Sequence, residues 1–137
     1  MMRVREVMTP NPVTVRPTDS LRTAVERMAQ TGCRRLPVVE DCKLYGIITD
    51  RDVRLVMNSP LVMRERWQDD LLMDHTEIRA CMTPDPICIR PDAPLKDAVD
   101  LLLAHKISGL PVVDTDCLVG IITVTDLLRA LAQFLET

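Results

Sequence analysis

Two four-residue segments carry the side chains best suited to binding chemistry: Thr49-Asp50-Arg51-Asp52 and Thr123-Val124-Thr125-Asp126. Each follows an apolar Gly-Ile-Ile run and precedes a stretch with helical spacing, so each sets a hydroxyl, free amides and a carboxylate at a helix start. A helix N-terminus presents unpaired N–H donors and a partial positive charge, a setting that suits an anion. A carboxylate there can accept hydrogen bonds from two vicinal hydroxyls at once. The same T-x-x-D spacing is also a capping box, which needs no ligand. Both readings stand at this point.

Other chemistries have less to stand on. The sequence holds no G-x-S-x-G elbow and no P-loop, so neither acyl-transfer nor phosphate-cradling motifs are present. Asp50, Asp52 and Asp126 lack an identifiable second group for acid–base work. The five cysteines (Cys33, Cys42, Cys81, Cys88, Cys117) show no C-x-x-C spacing, and His75 and His105 belong to no ligand pattern. No metal site is expected from them. In a cytosolic chain all five thiols should be reduced. No catalytic residue is assigned, and the chain reads as a non-enzyme.

Composition sets the frame in which those segments must work. The chain has 137 residues, 47% of them hydrophobic and 27% charged, with one Trp, one Tyr and one Phe. That is one ordinary domain or two very small units sharing a core, and the core must be aliphatic. The net charge of −3 and the scarcity of aromatics count against nucleic acid as a partner. The sum hides a gradient: residues 1–57 hold 10 Lys and Arg against 7 Asp and Glu, and the remainder is acidic. No apolar run approaches the roughly 18 residues of a membrane span, and Met1 to Pro10 lacks a signal-peptide core. A cytoplasmic location without a membrane partner is expected.

The elements that must position the two segments are themselves repeated. Shifting the sequence by 74 positions brings residues 4–57 onto 78–131 with 20 identities in 54 pairs and no gap. Met8-Thr9-Pro10 falls on Met82-Thr83-Pro84, Leu36-Pro37-Val38-Val39 on Leu110-Pro111-Val112-Val113, and Gly46-Ile47-Ile48-Thr49 on Gly120-Ile121-Ile122-Thr123. Within each copy, Val13–Val15 and Ile87–Ile89 read as short strands. A helix follows, its stripe formed by Leu21, Ala24, Val25, Met28 and Ala29 in one copy and Leu95, Ala98, Val99, Leu102 and Leu103 in the other. Gly32 is a plausible helix stop. Two apolar runs around the polar turns Glu40–Lys43 and Asp114–Cys117 predict hairpins. A second helix begins after Thr49 and after Thr123, with Leu127, Leu128, Leu131, Phe134 and Leu135 as its apolar face in the second copy. The expected fold is α+β: two pseudo-symmetric β-α-β-β-α repeats, residues 1–57 and 78–137, joined by a partly helical connector, 58–77. Units this small should pack on each other.

Two copies of M-T-P-x-P, a helix, L-P-V-V and G-I-I-T-x-x-D resemble tandem cystathionine-beta-synthase (CBS) domains, the paired arrangement called a Bateman module. The resemblance covers nearly the whole chain outside 58–77 and implies a stand-alone regulatory module. It implies binding of an adenosine-containing ligand (AMP, ADP, ATP or S-adenosylmethionine) in clefts between the repeats, and association as a homodimer. It also implies roles: Thr49, Arg51, Asp52, Thr123, Thr125 and Asp126 toward ribose and phosphate. Thr14, Val15, Leu36, Pro37 and Ile47, with Cys88, Ile89, Leu110, Pro111 and Ile121, would form apolar slots for adenine.

The copies differ just before Leu-Pro, where Arg34-Arg35 stands opposite Ser108-Gly109. Paired guanidinium groups are open only to the first copy, which with Arg51 suits a polyphosphate. The second, with Ser108, suits a monophosphate, a neutral adenosyl group or nothing. A non-catalytic ligand sensor would act by shifting an equilibrium read by an effector protein. The alternative is a ligand-free dimerisation or scaffolding module in which both T-x-x-D motifs serve only as caps.

Overall fold

The structure is a computed structural model that describes residues 1–57 and 65–136. Along the chain run α1 (Val4–Val7), β1 (Thr9–Pro10), α2 (Leu21–Thr31), β2 (Arg35–Glu40), β3 (Lys43–Thr49), α3 (Asp50–Met57) and α4 (Arg66–His75). A 3-10 turn at Ile78–Ala80 leads into β4 (Thr83–Pro84), α5 (Leu95–His105), β5 (Gly109–Asp114), β6 (Cys117–Thr123) and α6 (Val124–Leu135). Helices and antiparallel strands mix as the α+β reading expects.

Local chemistry explains the element ends. Ser20 caps α2, its side chain accepting from the Thr23 amide at 3.2 Å, and Gly32 stops the helix in the left-handed region at φ 72°. That is the glycine stop expected from sequence. Both hairpins turn on two residues with positive φ, Asp41 and Cys42 (50° and 63°) and Thr115 and Asp116 (50° and 66°), the pattern of a type I′ turn. Val13–Val15 and Ile87–Ile89 do not lengthen into strands. Each contributes one parallel bridge, Val15 to Val38 and Ile89 to Val112, because flanking prolines (Pro12, Pro17, Pro86, Pro91) lack the N–H that a longer ladder needs.

The end of α5 departs from its counterpart. Lys106 occupies the position of Gly32 and holds the left-handed conformation at φ 54°. A side chain there carries strain that glycine does not. Lys106→Gly is expected to raise unfolding stability by about 0.5–1 kcal/mol; a denaturant melt with an unchanged or lowered midpoint would contradict this.

The chain divides into two compact units, Val13–Asp85 and Met1–Pro12 with Pro86–Thr137. In the first, β2, β3 and β4 pair antiparallel in that order, with Leu36 opposite Ile48 and Ile47 opposite Thr83. In the second, β5, β6 and β1 do the same, with Leu110 opposite Ile122 and Thr9 opposite Ile121. Each unit thus takes its short third strand, with the helical turn before it, from the first residues of the other sequence repeat. One core gathers Val15, Leu21, Leu36, Val38, Ile48 and Ile78. The other gathers Val4, Ile89, Ala98, Leu110, Val112 and Ile122. Both are aliphatic, as the composition requires.

Within 58–77 the described part is 65–77, most of it the helix α4, which lies against α2. Arg22 bridges to Asp70 at 3.0 Å and to Asp74, and Met73 packs on the core. These ion pairs are exposed and contribute little by themselves. Residues 58–64 of the expected connector lie outside the described residues. The cysteines need a correction. Cys33, Cys81 and Cys88 are free, but Cys42 and Cys117, which belong to the hairpin turn regions, are disulfide-bonded rather than reduced. Spacing along the chain could not reveal this, since disulfides depend on geometry in space.

Candidate functional site

Strand-to-helix junctions place the two T-x-x-D segments. In the unit Val13–Asp85, β3 ends at Thr49 and α3 begins at Asp50, whose amide donates to the Arg34 carbonyl at 2.9 Å. The Thr49 hydroxyl accepts from the Asp52 amide at 3.1 Å, and Asp52 Oδ2 accepts from the Thr49 amide at 2.9 Å. That is a reciprocal capping box. Among the described residues no hydrogen bond reaches Asp52 Oδ1. Thr14, Val15, Leu36, Pro37 and Ile47 belong to the same unit. Pro37 and Val15 are linked directly, since the Val15 amide donates to the Pro37 carbonyl at 3.0 Å. Leu36, Pro37 and Val15 are buried, whereas Thr14 and Ile47 are half-buried.

The cations expected of this site stand at its edge. Arg35, the first residue of β2, pairs in register with Thr49, and burial lowers its pKa while the Asp50 charge opposes the shift. Arg34 and Arg51 are exposed. Arg54 lies 3.7 Å from Asp50 one turn along α3. Cys81 was not singled out in the sequence. Burial first, and the Asp52 charge second, push its thiol up.

The second unit repeats the junction with different satisfaction. The Val124 amide donates to the Ser108 carbonyl at 3.0 Å, and Gly109 pairs with Thr123. Asp126 Oδ2 accepts from both the amide and the hydroxyl of Thr123, each at 3.0 Å, and the Asp126 amide donates back to that hydroxyl at 3.1 Å. Asp126 Oδ1 accepts from the hydroxyl of Thr9 at 3.0 Å. Asp126 is 6% exposed, the buried charged side chain among the described residues. Arg129 Nη1 stands 4.0 Å from Oδ1. Thr125 and Ser108 are exposed.

The apolar residues expected there also fall in one unit. Ile89 donates to the Pro111 carbonyl at 3.0 Å, and Leu110, Pro111 and Ile121 are buried. Cys88 is exposed, its thiol pushed up by burial of the sulfur's surroundings. A cavity of about 300 Å³ touches Cys88 and Ile89, but its other walls are Arg90, Val113, Thr115 and Asp116, at the turn end of the hairpin. None of Ser108, Thr123, Thr125 and Asp126 lines it. The structure therefore brings the hydroxyl, amide and carboxylate groups together at each junction, and the cavity lies elsewhere.

Sequence reasoning missed Thr9. Its Met-Thr-Pro motif marked the duplication, yet nothing in the spacing showed that its hydroxyl meets a carboxylate 117 positions away. No group of His, Cys, Asp or Glu suited to a metal ion occurs among the described residues. No helix among them is long and apolar enough to cross a membrane.

A family model described as CBS domain matches residues 4–59 and 77–133. The chain belongs to the CBS domain family. A CBS domain-containing protein of Dictyostelium discoideum is 35% identical, the match covering 97% of this chain and 93% of that one. Among solved structures, that of CBSX2 in complex with AMP is 31% identical, covers 98% of both chains and superposes with a TM-score of 0.82. The CBS domain pair of protein MJ0100, in complex with 5-methylthioadenosine and S-adenosyl-L-methionine, is 26% identical, covers 98% of both chains and has a TM-score of 0.78. This CBS pair thus shares its fold with relatives holding adenosine-containing molecules.

Proposed function

We propose that this CBS pair is a non-catalytic regulatory module that binds an adenosine-containing ligand at its strand-to-helix junctions and signals to an effector protein. The observation that carries the reading is the state of Asp52. One carboxylate oxygen holds the cap of α3, and the other carries no hydrogen bond among the described residues. A ribose diol can donate to that oxygen while the first-turn amides and the Thr49 hydroxyl face a phosphate. Adenine would lie against the Val15, Leu36, Pro37 and Ile47 side. The relatives with AMP and with S-adenosyl-L-methionine support this ligand class. Arg34, Arg35 and Arg51 favour ATP or ADP over AMP at this junction, because each added phosphate can meet a guanidinium group. At the Asp126 junction Ser108 replaces one of these cations. A cytoplasmic homodimer completes the proposal.

Calorimetric titration of the purified chain with AMP, ADP, ATP and S-adenosylmethionine tests it. Saturable binding with a preferred ligand is expected. Folded protein giving no heat with any of the four would favour the ligand-free scaffolding reading, in which both T-x-x-D segments are caps alone. The fully internal bonding of Asp126 is what speaks for that reading.

A further inference from the structure

The two junctions differ in how much of their carboxylate remains open, and the difference traces to one hydroxyl. Building on the ligand reading above, we propose that Thr9 latches Asp126, so that the chain takes one adenosine-containing ligand, at Asp52, and the Asp126 junction opens only when the Thr9 hydrogen bond breaks.

The latch is placed by β1. Thr9 stands opposite Ile121 and Pro10 opposite Gly120 on β6. A Cβ added at Gly120 would lie 2.6 Å from Met8 Sδ and 2.9 Å from the Thr9 carbonyl oxygen, so the Met8-Thr9-Pro10 segment presses onto the strand where only glycine leaves room. That approach delivers the Thr9 hydroxyl to Asp126 Oδ1 at 3.0 Å. With Thr123 supplying two donors to Oδ2, three hydrogen bonds satisfy a carboxylate that is 6% exposed. A diol arriving there must displace Thr9 rather than fill an empty position.

Thr83 is the same residue of the other repeat in the same register, opposite Ile47, with Pro84 opposite Gly46. Gly46 is as closely approached, since an added Cβ would lie 2.6 Å from the Thr83 carbonyl oxygen. Yet no hydrogen bond joins the Thr83 hydroxyl to Asp52 among the described residues, and Asp52 is half-buried. A ligand diol therefore competes with a protein hydroxyl at Asp126 and with water at Asp52. Removing a bond between a hydroxyl and a buried carboxylate leaves an acceptor in need of a donor, which turns the closed junction into the open kind.

The test compares the full chain with Thr9→Val, Thr9→Ser and Thr83→Val, with AMP as the probe. Without ligand, Thr9→Val should lower Tm by about 3–6 °C, while Thr83→Val should stay within about 1 °C. On titration, the unmodified chain should bind one AMP, Thr9→Val two, and Thr9→Ser one again because the hydroxyl is restored. Equal melting of the two valine variants would overturn the latch, as would two AMP per unmodified chain or one per Thr9→Val chain. Absence of binding in all four proteins with AMP, and likewise with ADP, ATP and S-adenosylmethionine, would instead overturn the ligand reading, and the melting comparison would still decide whether Thr9 holds Asp126.

Discussion

Asp52→Ala is expected to weaken the preferred adenosine ligand about 100-fold. The figure follows from the chemistry assigned to the open oxygen: two hydroxyls donating to a carboxylate contribute on the order of 1.5–3 kcal/mol each, and a combined loss near 3 kcal/mol is about two decades in Kd. The same substitution also removes the acceptor for the Thr49 amide, which costs about 1 kcal/mol of stability as a lost cap. Asp52→Asn separates the two effects. Asparagine still caps, so its stability should stay near that of the unmodified chain while affinity falls. Asp126→Asn, at a carboxylate already satisfied by Thr9 and Thr123, should leave affinity within about 3-fold, well below the cost of a lost charge-assisted bond. Calorimetry on the three variants decides the matter. Unchanged affinity in Asp52→Ala, with only the cap-sized stability loss, would reduce the T-x-x-D segments to helix starts.

That Asp52 could be singled out at all reflects what this sequence makes legible. The Thr-to-Asp spacing, the hairpins and the stop at Gly32 are local, and each follows from backbone chemistry within a few residues. The aliphatic stripe of α2 was readable for the same reason, since Leu21, Ala24 and Met28 are buried as its period demands. Pairing across the chain was not. Both repeats carry Met-Thr-Pro and both carry Gly-Ile-Ile, so Thr9 fits Ile47 as well as Ile121 by residue type. Only the fold selects Ile121, and with it the contact between Thr9 and Asp126. The disulfide-bonded state of Cys42 and Cys117 is lost to sequence reasoning for the same reason. Helical periodicity also stops short of saying what a face meets. Leu103, read into the stripe of α5, is 73% exposed, and Phe134 on α6 is 75% exposed.

Those exposed side chains carry the other large prediction. Leu131→Glu with Phe134→Glu is expected to convert a dimer into a monomer. Within the unit Met1–Pro12 with Pro86–Thr137, α5 and α6 flank an open groove of about 450 Å³ lined by residues such as Leu95, Val99, Leu127, Leu128, Leu131 and Phe134. Leu103, Leu128, Leu131, Phe134 and Leu135 are each at least half exposed, a run of large apolar side chains on two neighbouring helices. A monomeric soluble protein seldom leaves so much contiguous apolar surface in water. In the other unit α4 lies against α2, held by Arg22 to Asp70 and Asp74. A helix of the chain itself thus meets the helix that corresponds to α5. On the α5 and α6 side the chain's own contribution is the short helix α1 with Met2, which leaves Leu103, Leu128, Leu131 and Leu135 at least half exposed, and the same face of a second copy supplies a partner with matching apolar chemistry. A dimer would then bury four introduced carboxylates without partners, each costing several kcal/mol, so association should weaken at least 1,000-fold. The exposure of Leu131 and Phe134 keeps the charges out of the core, and folding should survive. Sedimentation equilibrium should give twice the chain mass for the unmodified protein and the chain mass for the variant. An unmodified protein that sediments as a monomer at tens of micromolar, or a double variant that remains a dimer, would remove this face as the interface.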